Sequence, residues 1–438
     1  MRRMLVPAVL AIGALCAGQA AAPVPVSAST AGTTSTTSSK FSTVTSERSP
    51  AMVRVPFAVS AAAFGTRASG GQLPLNSDDT AFQVMGCTNL VGQSRRNFVA
   101  NQRIPGLGRA EGVTTRVWSV KSGRTVSSYS THSIAKLVLA DTPLGSLEIR
   151  GINSVSRAFN QAGTFKATTE TSIGKIVVKP VGAPAQVVPI PTPDQPIEIP
   201  GLATISIGSS TRKVTKDGAE AAANAIDIRV LPLGTRARVA HTQAAITGGV
   251  GRGVFKGYSA GVVARALDDN TKVGRLPLSL MPCQGTGGKT QGKDIARLDL
   301  DQLVVSGVST SQRTQRTSTA VQGLERGRVA RVTLGDGRVA IGAIVGQVNV
   351  RRTSKGVTSD IKGTTVGKIV VDGQVRAIPK NKPLEIPGLV RIEDRVRTKV
   401  RNGLKVSALR ITLLDGTGAV VDLGVAELAI RPGVGKRR

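Results

Sequence analysis

Few side chains in this sequence are of a kind that does chemistry, and their spacing limits what each could do. Two histidines occur, His132 and His241. His132 lies among hydroxyls, in Ser127-Ser128-Tyr129-Ser130-Thr131-His132-Ser133, which on the surface offers the partners of a nucleophilic pair. Such a pair needs an oriented base and an oxyanion site, and neither can be placed here, so His132 reads as a surface or strand residue. No HxH, CxxC or DxDxDG spacing that would hold a metal is present. Asp268-Asp269 and the pair Asp299 and Asp301 read as turn residues rather than as a general acid and base. An exported hydrolase acting through an unrecognised carboxylate pair is the competing reading. No catalytic residue, metal ligand or cofactor site is assigned.

The cations carry more information. The run Arg391–Lys405 reads RIEDRVRTKVRNGLK. Alternate residues of a strand share a face, which puts Arg391, Arg395, Arg397, Lys399 and Arg401 along one side with Glu393 among them. This stripe is the candidate polyanion-binding site. It sits in a chain of 438 residues with 58 Lys and Arg against 27 Asp and Glu, a net charge of +31 spread over both halves. Such a field attracts anionic partners and is screened within about 8 Å at physiological salt. Nucleic acid is the weaker expectation as a partner. Eight Phe, two Tyr and one Trp leave few platforms for base stacking.

The N-terminus gives the chain an address. Arg2 and Arg3 precede the apolar stretch Leu5–Ala17, and small residues follow from Ala20, the pattern of an export signal over 1–28. The apolar stretch is short for a membrane span. A Ser/Thr-rich arm occupies 29–51, with too little apolar surface to offset its ordering entropy. The expected location is extracellular, loosely held at the cell wall. Anionic cell-envelope polymers such as teichoic acids or phosphorylated glycans are the expected partners, with no transmembrane anchor in the mature chain.

The elements that would position these groups are written twice. GKIVV occurs at Gly174–Val178 and at Gly367–Val371, followed by PIEIPGL from Pro196 and PLEIPGL from Pro383. A period of about 190 residues is that of a whole domain. The copies are expected over 52–247 and 254–430, joined by a Gly-rich linker at 248–253, with a basic tail at 431–438. Fifty Gly and 22 Pro punctuate short Val/Ile/Thr runs, and alternation rather than helical period marks them. Asp372-Gly373 and Asp415-Gly416 supply tight hairpin turns. The reading is all-β, two tandem homologous sandwich-like or barrel-like domains with strands every 8–12 residues. Gly342 and Gly346 inside one strand-like run point to bulges or close sheet packing.

Of three cysteines Cys16 would leave with the signal, and the remaining Cys87 and Cys283 stand at matching places in the copies, an even count for an oxidising compartment. If the copies are related by translation the thiols stay apart. If they are related by a pseudo-twofold axis, equivalent residues meet on it. The second arrangement, with a Cys87–Cys283 bridge, is the expectation.

These blocks resemble secreted actinobacterial proteins of the choice-of-anchor P family. The likeness lies in Ile134–Leu139 running into Leu147–Ala158, then TSIGKIVV from Thr171, PIEIPGLATISI from Pro196 and Ala225–Ala240. The second copy repeats that order from Val329 through Leu384 to Ala426. The resemblance implies an extracellular, non-enzymatic β-domain protein with no catalytic residue to carry over. The family's C-terminal anchors have no counterpart in these residues.

Overall fold

The computed structural model describes residues 51–434, apart from 71–80, 105–107, 143–144, 193–194, 200–202, 231–233, 266–273, 301–302, 380–381, 415 and 417. The expected signal at 1–28, nearly all of the expected arm at 29–51, the end of the basic tail, and Asp268, Asp269, Asp301 and Asp415 lie outside the described residues.

Every regular element among the described residues is a β-strand, and the strands form four antiparallel sheets. The first sheet runs Ile197–Ile199, Ala203–Ile207, Gly218–Val230, Thr235–Thr247, Val53–Gly70, Gln83–Val91, with Ser210–Thr215 also on Gly218–Val230. The second runs Ser94–Ile104, Gly108–Ser122, Thr125–Thr142, Gly145–Gln161, Lys175–Pro180, Gln186–Val188. Thr164–Ser172 pairs the other end of Gly145–Gln161.

The third sheet runs Leu384–Ile386, Val390–Val400, Gly403–Leu413, Val420–Arg431, Val254–Arg265, Arg275–Leu280. The fourth runs Gln291–Leu300, Leu303–Arg316, Val321–Leu334, Val339–Thr353, Ile369–Val371, Gln374–Arg376, with Gly356–Asp360 also on Val339–Thr353. The third and fourth sheets therefore repeat the first and second strand for strand. The fold is all-β, a tandem pair of homologous sandwiches. Val390–Val400 is continuous where its counterpart breaks at Gly208-Ser209 into Ala203–Ile207 and Ser210–Thr215.

Each sandwich closes over an aliphatic interior. Ile104, Leu137, Leu147 and Ile149 of the second sheet meet Ile205, Ile226 and Val239 of the first. Val305, Val332, Ile341 and Ile344 of the fourth meet Ile392, Leu409, Ile411 and Leu423 of the third. The buried side chains are branched and aliphatic because the alternation of each strand turns Val and Ile inward and Arg, Lys and Thr outward.

Strands are longer than the expected spacing, up to 18 residues in Val53–Gly70 and Thr125–Thr142. The reason is a crease that bends each sheet without ending its strands. In the second sheet the ladders skip Ala100, Gly112, Ala135 and Gly151, and in the fourth Ala296, Gly307, Ala330 and Ala343. In the third they skip Gly261, Gly424, Ala408 and Arg395. Every second residue along the crease has positive φ, among them Gly151 at 65° and its counterpart Ala343 at 52°. A Cβ on Gly307 would come within 2.6 Å of the Ala330 Cβ, so the crease needs small residues. Gly346 serves close sheet packing, since a Cβ there would run into the Gly424 carbonyl.

Where the halves join, Cys87 and Cys283 are linked by a disulfide with Cα atoms 5.2 Å apart. Ala58 and Val254, also equivalent, lie in the same buried cluster. Equivalent residues meeting in two pairs is the geometry of a local twofold rather than of a translation. The last strand carries on through Arg431, and the Pro432 carbonyl accepts from Arg54 Nη1 at 3.1 Å and Asn89 Nδ2 at 2.9 Å of the first half. The start of the basic tail is thus packed.

Candidate polyanion-binding cleft

The third sheet is frayed on one side. Leu384–Ile386 pairs only with Val390, Arg391 and Ile392, so beyond them Val390–Val400 is an edge strand bonded on one side to Gly403–Leu413. Its start alternates, with Val390 and Ile392 buried and Arg391 outward; beyond them Arg395, Arg397, Thr398 and Lys399 are exposed and Val396 and Val400 half-buried. Opposite this edge lies the segment Ser359–Thr364 of the fourth sheet. That segment is fixed from within: Thr364 Oγ1 accepts from the Gln347 amide at 3.0 Å and donates to its carbonyl at 3.1 Å. Asp360 Oδ1 accepts from the Lys362 amide at 2.9 Å and from Asn349 Nδ2 at 2.7 Å.

Between edge and segment is an open cleft of about 760 Å³, lined by Asp360, Lys362, Arg395, Arg397, Lys399 and the apolar floor of Ile361, Val400 and Leu404. Four cations and one carboxylate line it; Asp360 is already engaged, and Arg395 is paired with Asp394 beside it at 3.1 Å. Among the described residues no carboxylate lies within ion-pair distance of Arg397, Lys399 or Lys362. Cations arrayed this way around a concave surface focus potential on it.

Of the five residues of the stripe, Arg395, Arg397 and Lys399 are brought together here. Arg391 is drawn away toward Glu385, 3.8 Å off on the neighbouring strand. Arg401 lies past the strand end, in the turn to Gly403. Arg395 sits on the crease with φ 47°, a conformation that costs an L-residue about 1–2 kcal/mol. Its counterpart in the first half is Gly208, read from the shared register of Ile205↔Ile228 and Ile392↔Ile411. Lys362 was missed by strand alternation because it arrives from the other sheet; its only signal in the sequence is a lone Lys beside Gly363.

The cleft belongs to the second half alone. Counterparts of Arg395, Arg397 and Lys399 are Gly208, Ser210 and Arg212. Two of the three charges are lost.

Two titratable groups with strongly shifted behaviour lie elsewhere, between sheets. His132 is a strand residue but an interior one: it is buried, bonded through Nδ1 to Thr115 Oγ1 at 2.8 Å, and held down to a pKa of about 3 by burial. In the second half Glu325 is fully buried, and neither carboxyl oxygen has a hydrogen-bond partner. Burial pushes its pKa well above the usual carboxylate range, against the smaller opposing effect of the Ser259 hydroxyl, which makes no hydrogen bond of good geometry. Neither residue lines this cleft. Among the described residues no cluster of three or more His, Cys, Asp or Glu could hold a metal. None contains a helix long and apolar enough to cross a membrane.

No family model matches the chain, and no curated protein or solved structure is significantly similar to it.

Proposed function

We propose that the protein is a secreted, non-enzymatic β-repeat protein that binds anionic polymers of the cell envelope through the cleft of its second half. The observation that carries this reading is the convergence of Lys362 from the fourth sheet with Arg395, Arg397 and Lys399 from the third. The export signal and the net charge of +31 support it, and so does the likeness to choice-of-anchor P proteins. Long polyanions suit a groove that is open along its length and lined by point charges, because successive charges displace counterions together.

The test is binding of the secreted protein to washed cells and to long-chain inorganic polyphosphate, across a salt series. Retention at low salt, release by about 1 M salt without detergent, and loss of most retention in Arg397→Ala/Lys399→Ala are the expected results. Retention that survives molar salt, or a double variant that binds as well as the parent, overturns the reading.

A further inference from the structure

Beside the cleft, and sharing Asp360 with it, the outer face of the fourth sheet carries a depression of about 320 Å³. It is built from two successive cross-strand rows. One row is Arg313, Leu324, Asn349 and Asp360; the next is Gln315, Gln322, Arg351 and Thr358. The register identifies the corresponding rows of the first half as Trp118, Tyr129, Arg157, Thr168 and Val120, Ser127, Phe159, Lys166. There the space is filled. Trp118 stacks on Tyr129 with centroids 4.7 Å apart and planes 3° from parallel. Arg116 covers the Trp118 ring at 4.8 Å, and Arg157 covers Tyr129 at 5.1 Å and Phe159 at 4.0 Å.

The second half has exchanged that stack for a hollow of different chemistry. Its floor is Leu324, half-buried, and its rim is three primary amides, two guanidiniums, a hydroxyl and a carboxylate. Asn349 and Asp360 are oriented by a relay: Arg326 Nε donates to Gln347 Oε1 at 2.6 Å, Gln347 Nε2 to Asn349 Oδ1 at 2.9 Å, and Asn349 Nδ2 to Asp360 Oδ1 at 2.7 Å, while Gln322 Nε2 donates to Gln315 Oε1 at 3.1 Å. A small apolar floor ringed by planar amide, guanidinium and carboxylate groups recognises a polyol, whose C–H face needs the floor and whose hydroxyls need paired donors and acceptors. The volume is at the small end of the roughly 300–1,000 Å³ typical of ligand sites, room for one such unit.

We propose that this depression is a polyol subsite continuous with the basic cleft. On that reading the ligand is a chain of polyol or sugar units joined by phosphodiesters, one unit seated over Leu324 while flanking phosphates lie along Lys362, Arg397 and Lys399. This extension rests on the assignment of the cleft as a polyanion site. Asp360 separates phosphates from the hollow, and with its Oδ1 already accepting from Asn349 and the Lys362 amide it fits beside hydroxyls better than beside a second anion.

The experiment compares poly(glycerol phosphate) with inorganic polyphosphate by calorimetry on the full secreted chain at low salt. Arg313→Trp/Leu324→Tyr refills the hollow with the pair the first half uses, and Gln322→Ala removes one rim amide without adding bulk. Both variants are expected to lose about tenfold in affinity for poly(glycerol phosphate) while binding polyphosphate as the parent does. Retained polyphosphate binding also shows that the variants are folded. Unchanged affinity for poly(glycerol phosphate) in both variants overturns the subsite, and equal losses for the two polymers overturn its selectivity for polyol. Failure of the cleft reading looks different: Arg397→Ala/Lys399→Ala then binds both polymers like the parent, and the extension falls with it.

Discussion

Arg395 has opposed demands on backbone and side chain. Its φ of 47° belongs to glycine, whereas Gly208 at the same place in the first half has no positive φ, and the Arg395 guanidinium lines the cleft. Arg395→Gly should therefore raise stability by about 0.5–1 kcal/mol, the relief of left-handed strain less glycine's larger unfolded-state entropy, and weaken polyphosphate binding. Denaturant midpoints and binding isotherms on one preparation check both; loss of stability together with unchanged binding would refute it. His132 and Glu325 make a second argument at this scale. The folded pKa of His132, about 3, lies below the unfolded value of about 6.5. Its contribution is thus complete above about 6.5 and lost as pH falls toward 3. Glu325 is raised instead, so its unfolded form ionises first, and stability drops as pH rises above about 4.3, by up to about 1.4 kcal/mol per unit. Glu325→Gln should flatten that alkaline fall, and His132→Asn the acid one, in stability curves measured from pH 3 to 8. A Glu325→Gln curve parallel to the parent's between pH 5 and 8 would show that the carboxyl ionises freely in the fold.

At the scale of elements, the crease decides how each sandwich bends, and the halves distribute its strain differently. The first half has Gly151 where the second has Ala343, and the second has Gly424 where the first has Ala240, all four at positive φ. Ala343→Gly and Ala240→Gly are each expected to raise the denaturant midpoint, by about 0.5–1 kcal/mol in stability. A fall in both would mean that the Ala methyls pack well enough to outweigh the strain. Charge pairing across strands works in the other direction. Arg410 Nε and Nη2 hold Asp422, which is almost wholly buried, at 2.8 and 3.3 Å. Arg410→Ala takes a charged donor from that buried carboxylate and should cost about 1.5–3 kcal/mol; a cost below about 0.5 kcal/mol in urea unfolding would show that the other contacts of Asp422 suffice to hold it.

Much of this level is legible in the sequence. GKIVV and the IPGL blocks mark equivalent strands, Asp372-Gly373 marks the turn between Ile369–Val371 and Gln374–Arg376, and alternation marks the stripe. The crease is not legible, because Ala at positive φ leaves no compositional trace. Nor is the cleft, because Lys362 and Arg397 are neighbours only after two sheets have packed. Lone residues such as Glu325 hide for a related reason: in a Val-rich strand a Glu reads as exposed until register turns it inward.

The whole molecule is held by a single covalent tie between its halves, closing a span of 196 residues at a small buried cluster of Ala58, Val250, Val254 and the two cysteines. Chain-entropy arguments give such a closure about 5 kcal/mol, yet the tie lies outside the aliphatic interior of either sandwich. Each interior is complete within its own half, so removal of the bridge should loosen the coupling more than it damages either fold. The single tryptophan of the chain, Trp118, lies in the first half and reports on that half alone, whereas far-ultraviolet dichroism reports on both. In the oxidised protein the two signals should melt together, because the bridge and the seam at Pro432 make unfolding one event. In Cys87→Ser/Cys283→Ser the fluorescence transition should separate from the dichroism transition, one half unfolding at lower denaturant than the other. Coincident transitions in the bridgeless variant would show instead that the noncovalent seam alone couples the halves, and that the disulfide contributes only through the unfolded chain.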